Sequence, residues 1–359
     1  MEDKNKRYFS KKGRALIIAS LFVLSFSALG LYYFIFVPDW SYFAQPISKD
    51  QTIINNDLEN ISATSSCLNC RQRYLDGVMV PMESAEAFPV ALVLDNDVLA
   101  RPQSGLSRAS LVYEAPVEGG MTRYLAIYPA DADISAIGPI RSARPYFVTW
   151  AEELKALFIH CGGSQEALNQ LKSASLYDLN EFYQASYFWR DKSSSRPAPH
   201  NVFTSADTWR LYLKEKGLNR AEADAWLFKE SGEQASSSPD INIYFSSNFR
   251  ALWRYDSVAN EYSRFFNGLA GTDEEQPITA KNIIIQQVKS RVLDKAGRLA
   301  IDTDGRGQAK ICLDGFCQDG YWQKKTDKRT RYYYNNEEEI KLNPGITWIE
   351  VADNNTRID

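Results

Sequence analysis

Two arginines and two histidines in the middle of the chain have side chains suited to binding an anion or moving a proton. Arg141 and Arg144 lie three residues apart in GPIRSARPYF, residues 138–147, between two prolines. His160 and His200 are the two histidines of the chain, and both occur in polar stretches. Guanidinium groups bind phosphates and carboxylates through paired hydrogen bonds, and imidazole exchanges protons near neutral pH. The combination predicts an anion-binding site or a catalytic one.

The position of Arg144 favours an anion site. Arg144 precedes Pro145, and proline is favoured at the first position of a helix. A cation at a helix N-terminus has the wrong sign for the macrodipole, unless a carboxylate or a bound anion compensates it. The stretch HCGGS, residues 160–164, offers a second helix start with free backbone N–H groups. The predicted pocket consists of Arg141, Arg144, His160, Gly162, Gly163, Ser164, Arg196 and His200.

Two other interpretations of these residues stay open. Glu114, Glu118 and Arg123 are close in sequence, so the arginines are alternatively members of a structural ion-pair network. In the second alternative, His160 or His200 is a general acid or base and the arginines stabilise developing charge. The sequence alone does not choose among the three.

The cysteines allow a disulfide or a metal site. Cys312 and Cys317 flank the turn LDGF, so a disulfide across a hairpin is expected there. A zinc site that joins them to Cys67 and Cys70 is the alternative. Asp95 with both histidines is another conceivable ligand set, but the chain has no metal-binding motif such as H-E-x-x-H. The sequence therefore predicts no metal and no cofactor.

The elements that position these residues predict two fold types. Short apolar runs at 89–96 and 156–161 and an alternating run at 122–129 predict strands, with a helix starting at Pro145. Beyond residue 240, alternating segments with turn residues predict hairpins of a sandwich or small barrel. The predicted fold class is an α/β N-terminal domain plus a mainly β C-terminal domain, preceded by one transmembrane helix.

The N-terminal segment predicts a membrane anchor. Residues 15–37 are 23 residues without a charge, and as a helix they span about 34 Å, enough for a bilayer core. The preceding residues carry a net charge of +4, which predicts a cytoplasmic N-terminus. A cleaved signal peptide is the alternative. The predicted organisation is a basic tail (1–14), a transmembrane helix (15–37), a linker (38–85), an α/β domain (86–232) and a β-rich domain (240–353).

The charge of the remaining chain limits its partners. With the basic tail set aside, the rest of the 359-residue protein carries −8. Nucleic-acid binding depends on many phosphate contacts from clustered lysines and arginines, so a nucleic-acid partner is not expected. Any anion site must therefore be local.

Several motifs together resemble those of the YerB-like family of bacterial envelope proteins. They are RPQSGLSRASLVYEAPVEGGMTRYLAIYP (101–129), IGPIRSARPYF (137–147), HCGGS (160–164), DLNEFYQASYFWRD (178–191) and RPAPHNVFTS (196–205). A looser resemblance in LWRYDSVANEYSRFFNG, AKNIIIQ and GITWIEV extends the match to roughly residues 86–352. The resemblance implies two adjacent domains of unknown function outside the membrane, and a lipid or helical N-terminal anchor.

Two features depart from that family pattern. The predicted anchor here is a helix instead of a lipidated cysteine, and FFNGLAGTDEEQPI lacks a histidine expected after this segment in relatives. We expect a membrane-tethered, extracytoplasmic binding or regulatory module that recognises an anionic wall ligand, such as a peptidoglycan component, or a wall-synthesis protein. The alternative is an envelope hydrolase or transferase that acts on a phosphorylated or carboxylated wall precursor.

Overall fold

Strands dominate the part of the chain that the structure describes. The structure is a computed structural model, and it describes residues 69–192, 196–221, 224–230, 232–273, 276–326 and 328–359. Valine, isoleucine and aromatic residues fill the apolar runs, and these residue types pack well on a pleated surface. The α-helices of the described residues are α1 (Pro145–Glu152), α2 (Gln165–Leu171) and α3 (Ala206–Lys216), with 3₁₀ turns at Met82–Ser84, Val98–Ala100, Leu106–Arg108, Glu118–Gly120 and Ala185–Tyr187.

The strands are numbered here in chain order. Those before residue 230 are β1 (Cys70–Gln72), β2 (Met79–Pro81), β3 (Pro89–Asp95), β4 (Leu111–Pro116), β5 (Thr122–Pro129), β6 (Leu157–His160), β7 (Tyr177–Asn180), β8 (Trp189–Arg190), β9 (Val202–Phe203) and β10 (Leu227–Phe228). Those after it are β11 (Ile241–Ser246), β12 (Phe249–Asp256), β13 (Glu261–Phe266), β14 (Leu269–Ala270), β15 (Thr272–Asp273), β16 (Gln276–Pro277), β17 (Thr279–Ala280), β18 (Asn282–Gln287), β19 (Ser290–Val292), β20 (Leu299–Ile301), β21 (Gly305–Leu313), β22 (Phe316–Lys324), β23 (Arg331–Tyr334), β24 (Lys341–Leu342), β25 (Thr347–Ala352) and β26 (Arg357–Ile358).

One ten-stranded sheet takes strands from both halves of the chain. Its order is β23-β22-β21-β18-β25-β4-β5-β3-β6-β7. Strand β25, near the end of the chain, lies between β18 and β4 and runs parallel to both. A six-stranded sheet contains β14-β13-β12-β11-β26 in this order, with β17 paired to β13. The two predicted regions therefore share one central sheet.

The ten-stranded sheet is apolar on both faces, because successive side chains of a strand point to opposite sides. Leu92 packs in one cluster with Trp209 and Trp253, whereas Val93 packs in the other cluster with Trp150. The six-stranded sheet covers part of the face that carries Leu92. There the rings of Trp253 and Trp348 meet edge to face, with their centroids 5.0 Å apart. Each cluster contains residues from both halves of the sequence.

The predicted fold class was wrong. The described residues are mainly β, and β5 runs antiparallel to both β3 and β4, which is not the pairing of a doubly wound α/β fold. The later strands form no sandwich or barrel of their own, since they divide between the two sheets. The physical reason is that periodicity reports which faces of a strand are buried, whereas β4 finds its parallel neighbour β25 far away in sequence.

The predicted N-terminal anchor lies outside the described residues. This applies to the basic tail, to residues 15–37 and to the linker up to residue 68. Among the described residues, no helix has the length and apolar character needed to cross a membrane. The end of the linker segment is folded: Tyr74 and Leu75 are buried in the core, and Cys70 is disulfide-bonded. Further along, Cys312 and Cys317 are joined by a disulfide across the hairpin of β21 and β22.

A buried ion triad connects the two sheets. Glu114 of β4 and Glu350 of β25 are directly paired in the parallel register, and both are fully buried. Arg264 of β13 places Nη2 2.5 Å from Glu114 Oε2 and Nη1 2.9 Å from Glu350 Oε1. Burial, with the charge of Glu114, raises the pKa of Glu350 to about 8. Without the guanidinium, two neighbouring carboxyls would be left in an apolar core.

We expect Arg264→Met to destabilise the protein strongly. The substitution leaves Glu114 and Glu350 buried without a cation, which costs roughly 3–5 kcal/mol of unfolding free energy. Arg254→Gln is the matched control, because Arg254 pairs with Asp240 on the surface with 55% of its side chain exposed. The control should cost far less, because water screens an exposed ion pair. Urea unfolding followed by tryptophan fluorescence measures both, and equal losses would contradict a structural role for the triad.

A second buried carboxyl predicts a pH dependence. Burial raises the pKa of Glu153 to about 7, although its carboxylate oxygens accept hydrogen bonds from the backbone N–H and hydroxyl of Thr330. The folded protein therefore holds this proton more tightly than the unfolded chain does, so the unfolding free energy falls as pH rises from about 4.5 towards 7. Between pH 5 and 7.5 the ionisation of Glu153 should lower the unfolding free energy by about 2 kcal/mol.

Replacing this carboxyl with an amide tests the dependence. The amide in Glu153→Gln cannot ionise. The unfolding free energy of the variant minus that of the parent should therefore be about 2 kcal/mol more favourable at pH 7.5 than at pH 5. Other titrating groups cancel in that difference. Urea unfolding of both proteins at the two pH values gives the result. A parent-to-variant difference that is the same at both pH values would show that Glu153 does not titrate in this range.

Candidate functional site

Arg144 and Arg123 share one carboxylate at the start of α1. Arg144 Nε donates to Glu118 Oε2 at 3.1 Å, its Nη2 also contacts Glu118, and its Nη1 donates to the Ala143 carbonyl at 2.8 Å. Arg123 Nη2 donates to Glu118 Oε1 at 3.1 Å. Burial would raise the pKa of Glu118, but the charges of Arg123 and Arg144 outweigh it and hold the pKa below its ordinary value. The cation before the helix is therefore compensated by Glu118, and all three of its guanidinium nitrogens have acceptors.

Asp95 organises a second cluster at the end of β3. Its Oδ2 lies 2.7 Å from His200 Nδ1 and 3.0 Å from Arg141 Nε, and its Oδ1 accepts from the backbone N–H of Asp97 at 3.1 Å. Asp95 and His200 are buried. A carboxylate accepts, so we assign the proton of the neutral imidazole to Nδ1, which leaves Nε2 as an acceptor. Asp95 thereby hydrogen-bonds the imidazole and forms an ion pair with the guanidinium.

Arg141 is the arginine of this pair with free hydrogen-bonding capacity. Its terminal nitrogens have no acceptor within the described part of the chain, and 21% of the side chain is exposed. Arg144, three residues away, has all its nitrogens engaged. The two arginines therefore differ. All guanidinium nitrogens of Arg144 have partners within the protein, whereas Arg141 contacts Asp95 through Nε and its terminal nitrogens are available to a ligand.

The HCGGS segment is occupied by contacts within the fold. His160 is fully buried, with Nδ1 2.6 Å from the Gly162 carbonyl and Nε2 2.8 Å from Asp178 Oδ1. The Gly162 N–H donates to Asn180 Oδ1 at 3.0 Å, and the Ser164 hydroxyl caps α2 by accepting from a backbone N–H. Gly163 forms a bridge with Ala143 in the main chain. None of these groups contacts the side chain of Arg141 or His200, so the structure does not assemble the full predicted pocket.

Arg196 approaches the cluster from the same loop as His200. Its Nη2 donates to the Pro102 carbonyl at 2.6 Å, and its Nη1 lies 3.7 Å from Asp191 Oδ2. Its guanidinium also stands over the Phe203 ring at 5.6 Å. Arg196 therefore fixes this loop onto the segment that follows β3, and residues 193–195 lie outside the described residues.

The geometry separates the two histidines. His200 pairs with Asp95, whereas His160 pairs with Asp178, so Asp95 and both histidines do not form one ligand set. Within the described ranges no group of three or more metal-binding side chains occurs. Burial and the neighbouring Glu181 raise the pKa of Cys161 to about 11, which keeps this thiol protonated at neutral pH. The Asp95–His200 pair is the described arrangement that suits proton transfer.

Sequence reasoning found Arg141 and His200 but missed the residue that joins them. Asp95 was considered as a metal ligand, although its position after a buried apolar strand was the available signal. The carboxyl-terminal end of a strand is where such sheets commonly place ligand-binding side chains. Which arginine would meet Glu118 depends on the turn Glu118–Gly120, and this turn has no sequence signature that selects a partner.

Comparisons with known proteins cover most of the chain. The family description "Protein of unknown function (DUF3048) N-terminal domain" matches residues 75–219, and "Protein of unknown function (DUF3048) C-terminal domain" matches residues 241–349. The chain is 33% identical over 286 residues to "Putative lipoprotein YerB" of Bacillus subtilis (strain 168), which is 77% of this chain and 85% of that protein. The crystal structure of YerB protein from Bacillus subtilis matches with a TM-score of 0.73 and 31% identity, over 80% of this chain and 99% of that chain.

The two arginines should differ in their effect on stability. Arg144→Gln removes two hydrogen bonds to Glu118 in a largely buried ion pair and should lower the unfolding free energy by roughly 3 kcal/mol. Arg141→Gln should cost less than Arg144→Gln, because it removes one Nε contact while Asp95 keeps its hydrogen bonds to His200 and the Asp97 N–H. Thermal and urea unfolding of the two variants, which carry the same substitution three residues apart, decide the point. A loss for Arg141→Gln as large as that for Arg144→Gln would make both residues scaffold.

Proposed function

The chain belongs to the YerB-like family, whose members carry two DUF3048 domains, and from this premise we propose that it is an envelope protein that binds an anionic group at Arg141. The observation that carries the proposal is the guanidinium of Arg141, which Asp95 holds by Nε while its terminal nitrogens have no acceptor in the described residues. A guanidinium with a free edge suits a phosphate or carboxylate, because two parallel N–H groups fit two oxygens.

The surrounding groups prepare Arg141 for this role. Asp95 is buried and fixes the guanidinium, so little side-chain entropy is lost when an anion binds. His200 is fixed by the same carboxylate oxygen. Arg123 and Arg144 lie close by and carry a net charge of +1 after pairing with Glu118. This local excess of positive charge attracts an anion even though the protein as a whole is acidic.

A relative supports the proposed location in the cell envelope. The similar Bacillus subtilis protein bears the name "Putative lipoprotein YerB", which supports a membrane-associated place in the envelope for this chain. Anionic groups that occur there include the phosphates and carboxylates of the cell wall. We therefore propose an anionic wall component, such as a peptidoglycan fragment, as the ligand class, with a wall-synthesis protein as the alternative partner.

One observation favours an enzyme as the second candidate. The 2.7 Å contact between Asp95 and His200 orients the imidazole with Nε2 as a base, as general acid–base catalysis requires. Arg141 beside it would stabilise negative charge on a phosphorylated or carboxylated substrate. The binding function needs the arginine, whereas catalysis needs the histidine as well, so substitutions separate the two.

Titration of the full-length protein with inorganic phosphate tests the binding site. Calorimetry should detect phosphate binding that Arg141→Gln weakens at least tenfold, because the free guanidinium edge is lost. Arg254→Gln, a surface arginine paired with Asp240, is the control and should bind like the parent. Cosedimentation with purified cell-wall sacculi extends the test to a wall ligand. Equal phosphate affinity in the parent and Arg141→Gln would rule out the site.

The enzyme alternative has its own readout. Release of phosphate from a phosphomonoester such as p-nitrophenyl phosphate, lost in His200→Gln while phosphate binding persists, would establish catalysis. Binding without turnover in the parent would leave the binding module as the function.

A further inference from the structure

A cavity lies between residues of the two halves of the chain, beside the segment that follows β3. Its volume is about 390 Å³, within the range of small-molecule sites. One wall is the loop from Asn96 to Gln103, and the opposite wall comes from β13, β14 and β15. Because the walls derive from different domains of the family, the cavity exists only when the two regions are joined. The lining includes Asn96, Arg101, Arg264, Phe266, Leu269 and Ile278.

Arg101 is the polar group that points to a ligand in this cavity. Its Nε donates to Asn96 Oδ1 at 2.9 Å, and its Nη2 donates to the Asn96 carbonyl at 2.6 Å. Both acceptors are neutral, and Nη1 has no acceptor among the described residues. No carboxylate of the described residues lies within ion-pair distance of this guanidinium. Arg101 is thus a fixed, partly buried cation whose charge lacks a direct partner.

The other charged groups near the cavity leave room for an anion. Arg264 at its floor is already compensated by Glu114 and Glu350. The charges of Glu114 and Asp97 also act on Arg101, but Glu114 is paired with Arg264, and the Asp97 side chain accepts from the Leu99 N–H at 2.8 Å and lies outside the cavity lining. A monoanion placed against Arg101 would therefore meet one uncompensated cation and no carboxylate in direct contact with that cation.

The remaining walls combine apolar side chains with the polar groups of Tyr124, Asn267 and Thr272. The guanidinium of Arg101 stacks on the Phe266 ring at 3.3 Å, and Ile278 is buried beneath it. Leu269 and Val98 stand at the rim with 77% and 72% of their surfaces exposed. Exposed aliphatic side chains around a cation-bearing cavity are suited to an amphipathic ligand, because its apolar part covers them while its charged end meets the arginine.

The cavity is rigidly framed. The carboxylate of Asp273 in β15 accepts from the backbone N–H groups of Gly105 and Ser107, each at 2.8 Å, and so fixes one wall to the first half of the chain. The buried Arg264 triad fixes the floor. A site whose walls are held by buried hydrogen bonds loses little entropy on binding.

We propose that this cavity binds a small carboxylic acid with an apolar body, the carboxylate on Arg101 and the body against Phe266 and Leu269. Among the described lining residues Arg101 is the cation without a carboxylate in direct contact, and one such cation beside apolar surface suits a monoanion. The acid is either a free small molecule or the C-terminal residue of a peptide, since both present the same carboxylate beside an apolar group. The cavity lining includes Arg101 and not Arg141, so the two proposed sites use different arginines.

Calorimetric titration of the full-length protein with phenylacetate and with N-acetylphenylalanine tests the proposal. Both acids should bind, and their neutral amides should bind at least tenfold more weakly, because Arg101 recognises the charge. Tighter binding of N-acetylphenylalanine would identify a peptide terminus as the source, and tighter binding of phenylacetate a free acid. Absence of binding for both acids, or equal binding of acids and amides, would overturn the proposal.

Three variants locate the site. Arg101→Gln should weaken acid binding at least tenfold, and Arg101→Lys, which keeps the charge but loses the stacked planar group, should weaken it to a smaller extent. Arg254→Gln, at the surface pair with Asp240, should leave acid binding unchanged, and Arg101→Gln should bind phosphate like the parent, so a failure here is distinguishable from a failure at the Arg141 site. Melting curves verify that each variant is folded. If Arg101→Gln does not fold, a crystal soaked with phenylacetate decides: density away from Arg101 would refute the assignment.

Discussion

The register between β4 and β25 is the constraint on which the rest of the fold depends. It brings Glu114 and Glu350 side by side in the interior, an arrangement that two carboxyls tolerate only with a cation between them or with one of them protonated. Arg264 supplies the cation from the other sheet, stacked among Trp253 and Trp348. A one-residue slip of either strand would turn its carboxyl to the opposite face, so that Arg264 could pair with only one of the two. The triad therefore specifies both the strand pairing and the position of the second sheet.

The residues at the end of β3 connect the buried core to both candidate sites. Asp95 holds Arg141 and His200, and the next residue, Asn96, holds Arg101. Asn96 also donates to Thr122 and Glu114, so the segment is tied to the buried triad. Asp95 and Asn96 are consecutive in the chain, and each contacts one of the two candidate arginines. The strand itself is buried along its whole length, which makes its end a rigid support.

The sequence predicted local features well and long-range ones poorly. Strand Pro89–Asp95, the helix start at Pro145 and the turn between Cys312 and Cys317 each depend on neighbours a few residues away, and the structure contains all three. The shared sheet was not predictable from patterns, because the run TWIEVA of β25 would be equally apolar in a separate domain. Its partner is selected by tertiary packing, which overrides local preference.

The two arginines of GPIRSARPYF show the same limit at a single site. Residue type and spacing identified both as anion-binding candidates, and the helix dipole made Arg144 the more demanding one to explain. In the structure the carboxylate of Glu118 neutralises Arg144 at the helix start. The arginine in the less favourable electrostatic position is therefore the one that has an internal partner. Arg141 is not at a helix start, and Asp95 engages only its Nε. A cation left partly unsatisfied by the fold is the better candidate for an external anion, because the anion then adds contacts instead of replacing them.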